Sequence, residues 1–579
     1  MSVTHKAHES EVKIISSKTK EFLIPFDGVR AVGTNDYKLG AADIVNFRFL
    51  PDGSLQKRSG YKKLATIPKV IRAIWSGKIG GVPLIFVLAG PDVYYISYPD
   101  NEISRIAIIG HSGKSASFFF YRRSLFLIDG NKIYTVSTDA VRPAVGYAPL
   151  IGKNWHDEEI GEINEPRNAL TNRARISYLI TKSTASMLYA DGPIASIEAL
   201  YVNGELISSE NYMISSNPSI VIVSGLKQND KVELYFTYAT AISDSAIKAN
   251  THATVFGGIS NSRPFLYGAG NGAVMYSGAY VSDSELEDCR RVYSDSDSIY
   301  FPLNHKFTVG DARYPIKGVA RHFDRLLIFT EGGVWMADSS ACDTEDFPIM
   351  NINTTVSIVT QGSIAVMGNT PCTVGADGVY AYASNTDELD ECNAYPISDA
   401  IDSLLAPEWL LSSKLHYWQA KDELLLYSGE GDVVWVYSPK RSVWTRYTGI
   451  CAYDFFDVDG NAAFHNGKNI FMFYDDLVTD EGSQIIQGKI VSHPEDFSTS
   501  KKKRLSYVAT EVSDGEITVD LHSDDESILR GELTFGTDGS NSVLQKKRAR
   551  VNRFQHVSAS IFADGQARQR IVSASLTVK

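Results

Sequence analysis

Seven stretches of this chain end alike, and that recurrence limits the fold more than any other feature. They are Asp92-Val-Tyr-Tyr-Ile-Ser97, Asn131-Lys-Ile-Tyr-Thr-Val-Ser137, Asn271-Gly-Ala-Val-Met-Tyr-Ser277, Gly332-Gly-Val-Trp-Met-Ala-Asp338, Asp377-Gly-Val-Tyr-Ala-Tyr-Ala-Ser384, Gly431-Asp-Val-Val-Trp-Val-Tyr-Ser438 and Lys468-Asn-Ile-Phe-Met-Phe-Tyr474. Each opens on a turn, alternates through β-branched or aromatic residues and closes on a polar stop. Apolar strands precede several of them, as in Pro83-Leu-Ile-Phe-Val-Leu-Ala-Gly90 and Arg325-Leu-Leu-Ile-Phe-Thr330. Further strands stand upstream, among them Ala116-Ser-Phe-Phe-Phe-Tyr121 and Leu415-His-Tyr-Trp418.

Units of roughly 30 to 45 residues with three or four short strands each are what a β-propeller requires. One such sheet cannot cover both its faces; neighbours packed around an axis do so and leave only short edges. The expected fold is therefore all-β, a seven-bladed β-propeller with an inserted β-sandwich and a C-terminal β domain. A series of β-sandwiches would also be all-β, but has no need of seven copies of one ending. Thirty Tyr, 26 Phe and 44 Gly beside 8 Met suit strands joined by tight turns.

The spacing breaks between the second and third units. There Ile194-Ala-Ser-Ile-Glu-Ala-Leu-Tyr-Val202 leads into Asn203-Gly204, a hairpin turn. Ile220–Val223 and Lys231–Thr237 follow, so a small sandwich over 151–250 is predicted to interrupt the propeller. Loop closure entropy rises slowly enough with length to tolerate it. The expected organisation is an N-terminal arm over 1–26, a first propeller part over 27–150, the insert, a second propeller part over 251–485, and a C-terminal β domain over 486–579. A propeller must also join its last blade to its first. The hairpin pattern in Val45-Asn-Phe-Arg-Phe-Leu-Pro-Asp-Gly-Ser-Leu-Gln-Lys-Arg-Ser-Gly-Tyr61 is assigned that task, with Val45, Phe47 and Phe49 closing the blade that ends at Phe473.

The formal net charge is −12, unevenly spread. Residues 486–579 hold 14 Lys plus Arg against 12 Asp plus Glu, which leaves the rest of the chain at −14. An acidic body argues against general nucleic-acid binding. Two basic runs stand out in the C-terminal region, Lys501-Lys502-Lys503-Arg504 and Lys546-Lys547-Arg548-Ala549-Arg550. A solvated loop is the plain reading of the first; a contact with an acidic protein surface is the sharper one. The five cysteines, Cys289, Cys342, Cys372, Cys392 and Cys451, form no Cys-x-x-Cys pair and read as buried thiols of a reducing compartment. No apolar run approaches the roughly 20 residues that span a bilayer, and no secretory leader pattern opens the chain.

Catalytic patterns are sparse. Ile108-Ile-Gly-His-Ser-Gly-Lys-Ser115 lacks the first glycine of a phosphate loop and runs into the β-rich Phe118-Phe-Phe120, where a helix would be needed. Asp454, Asp457 and Asp459 precede Gly460 as in hard-cation loops, yet no later acid closes the set, and Asp295 and Asp297 share that weakness. His322 and His416 fall inside strand patterns. Propellers host glycosidases, and a carboxylate pair could stand among 68 acids; no Asp-box, His-Glu-x-x-His or Gly-x-Ser-x-Gly motif accompanies it. No catalytic residue, cofactor or metal ligand is assigned.

Three stretches carry a family resemblance. The first is Gly28-Val-Arg, Ala42-Asp-Ile-Val-Asn46, Gly53-Ser-Leu and Lys57-Arg-Ser-Gly-Tyr61. The second is Tyr300-Phe-Pro-Leu-Asn304, Val309-Gly-Asp311, Ile316-Lys-Gly-Val319 and Leu326–Trp335. The third is Lys547-Arg-Ala-Arg-Val-Asn-Arg-Phe-Gln555. Together they resemble the tail nozzle group of short-tailed bacteriophages, also called tail tubular protein B or packaged-DNA stabilisation protein. The resemblance implies a structural virion protein of the tail, assembled in the host cytoplasm and not an enzyme. It implies a ring, a homohexamer, below the portal and adaptor, in contact with fibre or tail-tip proteins and without membrane insertion. Double-stranded DNA would pass through without specific binding, and an acidic lumen would repel its phosphates. On that view Lys501, Lys502, Lys503, Arg504, Lys546, Lys547, Arg548 and Arg550 are candidate partner contacts. A receptor-binding or fibre-anchoring tail component and a propeller glycosidase are the alternatives.

Overall fold

The structure, a computed structural model, describes residues 13–16, 19–34, 37–110, 113–157, 159–184, 186–257, 262–278, 281–338, 347–354, 356, 358, 360–384, 392–524, 533–537 and 539–579. Two compact units divide the chain: Ile71–Thr354, and Met1–Val70 with Thr355–Lys579.

In the first unit four sheets of four antiparallel strands follow one another, each strand pairing with the next in sequence. They cover 71–108, 117–143, 252–308 and 316–353. Tight turns make each meander possible. Arg122 and Arg123, at φ +45° and +63°, form the two-residue turn that sets Tyr121 opposite Ser124. Positive φ at both central residues matches the twist of the flanking strands.

Packing follows from the period of two along a strand. In the second sheet Phe118, Leu125 and Leu127 face the first sheet's Phe86 and Leu88, while Phe119, Phe126 and Ile128 face the third sheet's Leu266 and Met275. The third sheet's other face, Phe265 and Tyr276, meets Leu326 and Ile328 of the fourth. The leading strands of successive sheets lie side by side, with Ser117–Tyr121 against both Ile71–Ile79 and His252–Phe256. These are propeller blades.

Between the second and third blades, strands of 150–238 form a five-stranded and a three-stranded sheet. Ile176, Leu200 and Leu234 of the larger meet Leu188, Val221 and Val223 of the smaller in one core. Asn203-Gly204, both at positive φ, turns Ile194–Val202 into the two-residue strand Glu205–Leu206. The long partner of Ile194–Val202 is Lys231–Tyr238.

The second unit supplies three more blades, over 364–396, 413–448 and 454–473. The last has only three strands of its own; its fourth is Tyr61–Thr66, with Tyr61 opposite Phe473 and Thr66 opposite Asn469. Among the described residues, six four-stranded sheets and a four-stranded meander over 413–448 that belongs to a larger sheet make this an all-β chain of the β-propeller class.

The closing strand thus starts at Tyr61, where the expected hairpin ends, and Val45, Phe47 and Phe49 do not close the blade. Val45 ends strand Ala41–Val45, which pairs along Gly488–Ser492 and, at Val45 itself, in parallel with Arg446. The blade over 413–448 therefore continues through Ala41–Val45 into a nine-stranded sheet that includes Gly488–Ser492, Val557–Ala563, Gly515–Ser523 and Leu533–Thr537. Asn46, at φ +58°, breaks the strand there. Phe47–Phe49 then pairs with Leu55–Lys57, and that hairpin joins the facing sheet through Arg570–Val578. Phe47 is buried with Leu55, Ile490, Val508, Ile561 and Leu576. The hairpin's alternation fits a sandwich core as well as it fits a blade. The C-terminal β domain accordingly includes strands from 13–57, and a boundary at 486 does not isolate it.

Candidate interaction surface

The two basic runs lie on neighbouring strands of the sheet that faces the nine-stranded one. Lys503–Ser513 pairs antiparallel with Val543–Phe554, and the latter is the end strand of the sheet. Cross-strand neighbours share a face, so Arg548 stands with Tyr507 and Lys546 with Ala509. The Lys546 ammonium sits 5.0 Å from the centre of the Tyr507 ring. Lys546 and Arg548 are exposed, as are Lys501, Lys502 and Arg504 near the start of the adjacent strand. Leu544, on the same face two residues before Lys546, is 67% exposed.

Two of the candidate cations are engaged by contacts within the chain. Lys503 is buried; its ammonium donates to the Thr499 carbonyl at 2.5 Å and approaches the Phe497 ring. Lys547 turns to the other face, where it donates to the Thr534 carbonyl and lies 5.2 Å from the Phe535 ring. The side chain of Arg550 lies outside the described residues. The runs therefore offer Lys501, Lys502, Arg504, Lys546 and Arg548 to a partner.

A second constellation, unassigned from the sequence, sits where Ala41–Val45 joins the blade. Arg58 is 2% exposed and donates to both Asp480 carboxylate oxygens at 2.9 and 2.6 Å. It also donates to Asn46 Oδ1 at 2.9 Å and to the Ser59 and Thr448 carbonyls at 3.0 Å. Asn46 in turn donates to Thr448 Oγ1 and the Gln487 carbonyl. Gly60 is required next to them, because a Cβ there would lie 2.0 Å from the Thr479 carbonyl oxygen. The Tyr61 hydroxyl donates to the Gly449 carbonyl, and burial pushes its pKa up to about 12. Arg446 and Asp43 form a further bidentate pair, and Arg48 bonds Glu423 at 2.8 Å. The motif Asn46, Arg58, Gly60, Tyr61 is thus a polar clamp within the framework. In the second motif the Tyr300 hydroxyl donates to the Pro166 carbonyl at 2.6 Å and Phe301 N–H to Asn168 Oδ1.

The residues weighed for chemistry are engaged elsewhere. Asp454 accepts the Tyr427 hydroxyl at 2.8 Å, and Asp457 meets His416 at 3.3 Å. Asp295 pairs with Arg173; Asp297 is buried and accepts the Thr135 hydroxyl and Val145 N–H. Lys114 donates to the Gly130 carbonyl, and the strand Ser117–Tyr121 follows it; His111 and Ser112 lie outside the described residues. His322 is buried in its strand. Among the described residues no group of three His, Cys, Asp or Glu could hold a metal ion, and no helix is long and apolar enough to cross a membrane. Cys289 and Cys372 are buried, but Cys451 is exposed, contrary to expectation, because it lies in a connection between strands. Cys342 and the side chain of Cys392 lie outside the described residues. A pocket of about 290 Å³ stands beside Thr19–Leu23, floored by Phe22, Phe497 and Leu576 and rimmed by Lys38 and His493.

No family model matches the sequence, and no curated protein matches it. Among the solved structures similar to this chain are two of low identity. One, described as the crystal structure of the mitotic checkpoint complex, is 11% identical with a TM-score of 0.34, over 72% of this chain and 94% of that one. The other, described as the AfRom2 CNH domain, is 7% identical with a TM-score of 0.35, over 72% of this chain and 99% of that one. Likeness this low bears on neither family nor function.

Proposed function

We propose that this chain is a structural protein of a bacteriophage tail, a nozzle-type ring component that continues the DNA channel below the portal and adaptor and helps to retain and then conduct the genome. The observation that carries the reading is the clamp. Four residues of the first stretch that carries the tail nozzle resemblance, Asn46, Arg58, Gly60 and Tyr61, hold the joint between a blade and the C-terminal sheets. They specify an architecture, which is what a shared structural role would preserve. The charge division supports it too: a body at −14 repels phosphate, so a genome slides past without the salt-dependent sticking that a basic lining would cause. The test is complementation. Particles assembled without this chain should package DNA and then lose it, and supplying the chain should restore retention; particles that hold their DNA without it would defeat the reading.

The insert favours a second reading, a fibre-anchoring or receptor-binding tail component. On the outer face of its three-stranded sheet Met187, Ile222 and Met213 stand in one cross-strand row, with Met187 and Met213 45% and 61% exposed. Particles carrying Met187→Lys and Met213→Lys should then adsorb poorly to host cells while still retaining DNA.

A further inference from the structure

We propose that the basic end strand Val543–Phe554 of one copy receives the acidic loop following strand Leu150–His156 of a neighbouring copy, an inference that rests on the self-association proposed above. Among the described residues the strand's only ladder partner is Lys503–Ser513, while the side chains of Gln545 and Lys547 reach the backbone of Leu533–Thr537. A long exposed sheet edge invites pairing with another chain, and Lys or Arg on it discourages pairing with its own kind. Lys546 and Arg548 do this here: two identical edges would bring like charges together. The same cations favour an acidic guest, and the exposed Leu544 beside them favours one with apolar side chains.

The chain carries such a guest. Residues 156–165 read His-Asp-Glu-Glu-Ile-Gly-Glu-Ile-Asn-Glu, without Lys or Arg. Asp157 is buried and committed to Thr181. Glu159 and Glu162 are exposed, and Ile160 and Ile163 are 52% and 49% exposed. Ile160 and Ile163, set beside the exposed carboxylates of Glu159 and Glu162, complement Leu544 set beside Lys546 and Arg548. The two patches differ, so the contact is heterologous, the kind that propagates head to tail and closes into a ring when the rotation permits. Close opposite charges across such a contact chiefly set which surfaces meet and how fast, and salt weakens them.

The test is a charge exchange read by sedimentation velocity on the full chain. One variant carries Lys546→Glu with Arg548→Glu; the other carries Glu159→Lys with Glu162→Lys. Each alone places like charges at every junction, so self-association should weaken by about tenfold or more relative to the unsubstituted chain. An equimolar mixture restores opposite charges at every junction and should regain association, with circular dichroism showing both variants folded. Variants that associate like the parent, a mixture no better than its parts, or a parent chain monomeric throughout would each overturn the proposal. So would loss of duplex DNA binding in the Lys546→Glu, Arg548→Glu variant with association intact, because the strand would then serve phosphate. Rings seen in particles alongside insensitivity to the exchange would remove this contact and leave the proposed function standing.

Discussion

Arg58 and Asp480, 422 residues apart in sequence, meet in a buried bidentate ion pair at 2.9 and 2.6 Å. The pair ties the segment ahead of the closing strand to the connection that leads into the C-terminal sheets. Burying two charges is costly, and the contact is favourable only because Asn46 and two carbonyls satisfy the remaining guanidinium donors.

Removing one partner should therefore hurt more than removing both. Arg58→Ala leaves the Asp480 carboxylate buried and uncompensated and should cost about 3–5 kcal/mol in chemical denaturation. Arg58→Lys should recover little of it, since an ammonium cannot span both carboxylate oxygens as the guanidinium does. Replacing both residues with Met and Leu should cost clearly less than Arg58→Ala.

The two early segments have separable tasks. Phe47→Ala opens a cavity in the C-terminal core and should cost about 3–5 kcal/mol, with faster hydrogen exchange along Gly488–Ser492 and Val557–Ala563. Tyr61→Ala should instead speed exchange along Asn469–Phe473. Mass-spectrometric exchange on the two variants distinguishes them, and the reverse pattern would restore Phe47 to the closing strand.

Acid should loosen the last blade first. His465 ends the strand Asn461–His465, and burial lowers its pKa from 6.5 to about 4. Its Nδ1 accepts the Gly467 N–H, a bond only the neutral ring can make. The unfolded chain takes up the proton near pH 6.5 and the folded chain resists until about 4, so stability falls as pH drops through that window. His465→Gln should flatten this part of the Tm–pH curve.

Of the fold, the blades were the most legible. Their strands alternate over short distances, and the turn that sets Tyr121 opposite Ser124 is local. The insert was legible for the same reason, through Asn203-Gly204. The closing strand was not: Tyr-Lys-Lys-Leu-Ala-Thr alternates less cleanly than Val45, Phe47 and Phe49, and only pairing with a strand some 400 residues away distinguishes them. The basic runs were visible as composition, but composition does not say which face a lysine takes. Lys547 and Lys546 are adjacent in sequence, yet one bonds the Thr534 carbonyl of the facing sheet while the other lies over the Tyr507 ring. Asp480 carried no signal at all, being one acid among 68.

That division within the runs gives a further expectation. Lys547→Ala should lower the Tm, because its ammonium satisfies a backbone carbonyl on the facing sheet. Lys501→Ala, at an exposed position, should change stability by no more than about 0.5 kcal/mol. Differential scanning calorimetry of the two variants checks it.

The central functional claim is best tested by cryo-electron microscopy of the particle that carries this chain, with the chain labelled at an exposed site such as Cys451. The account predicts label in a ring around the axis of the tail, below the portal and adaptor, with density for several copies enclosing a DNA-wide channel. Label at the fibre tips, or a single copy off the axis, would contradict it.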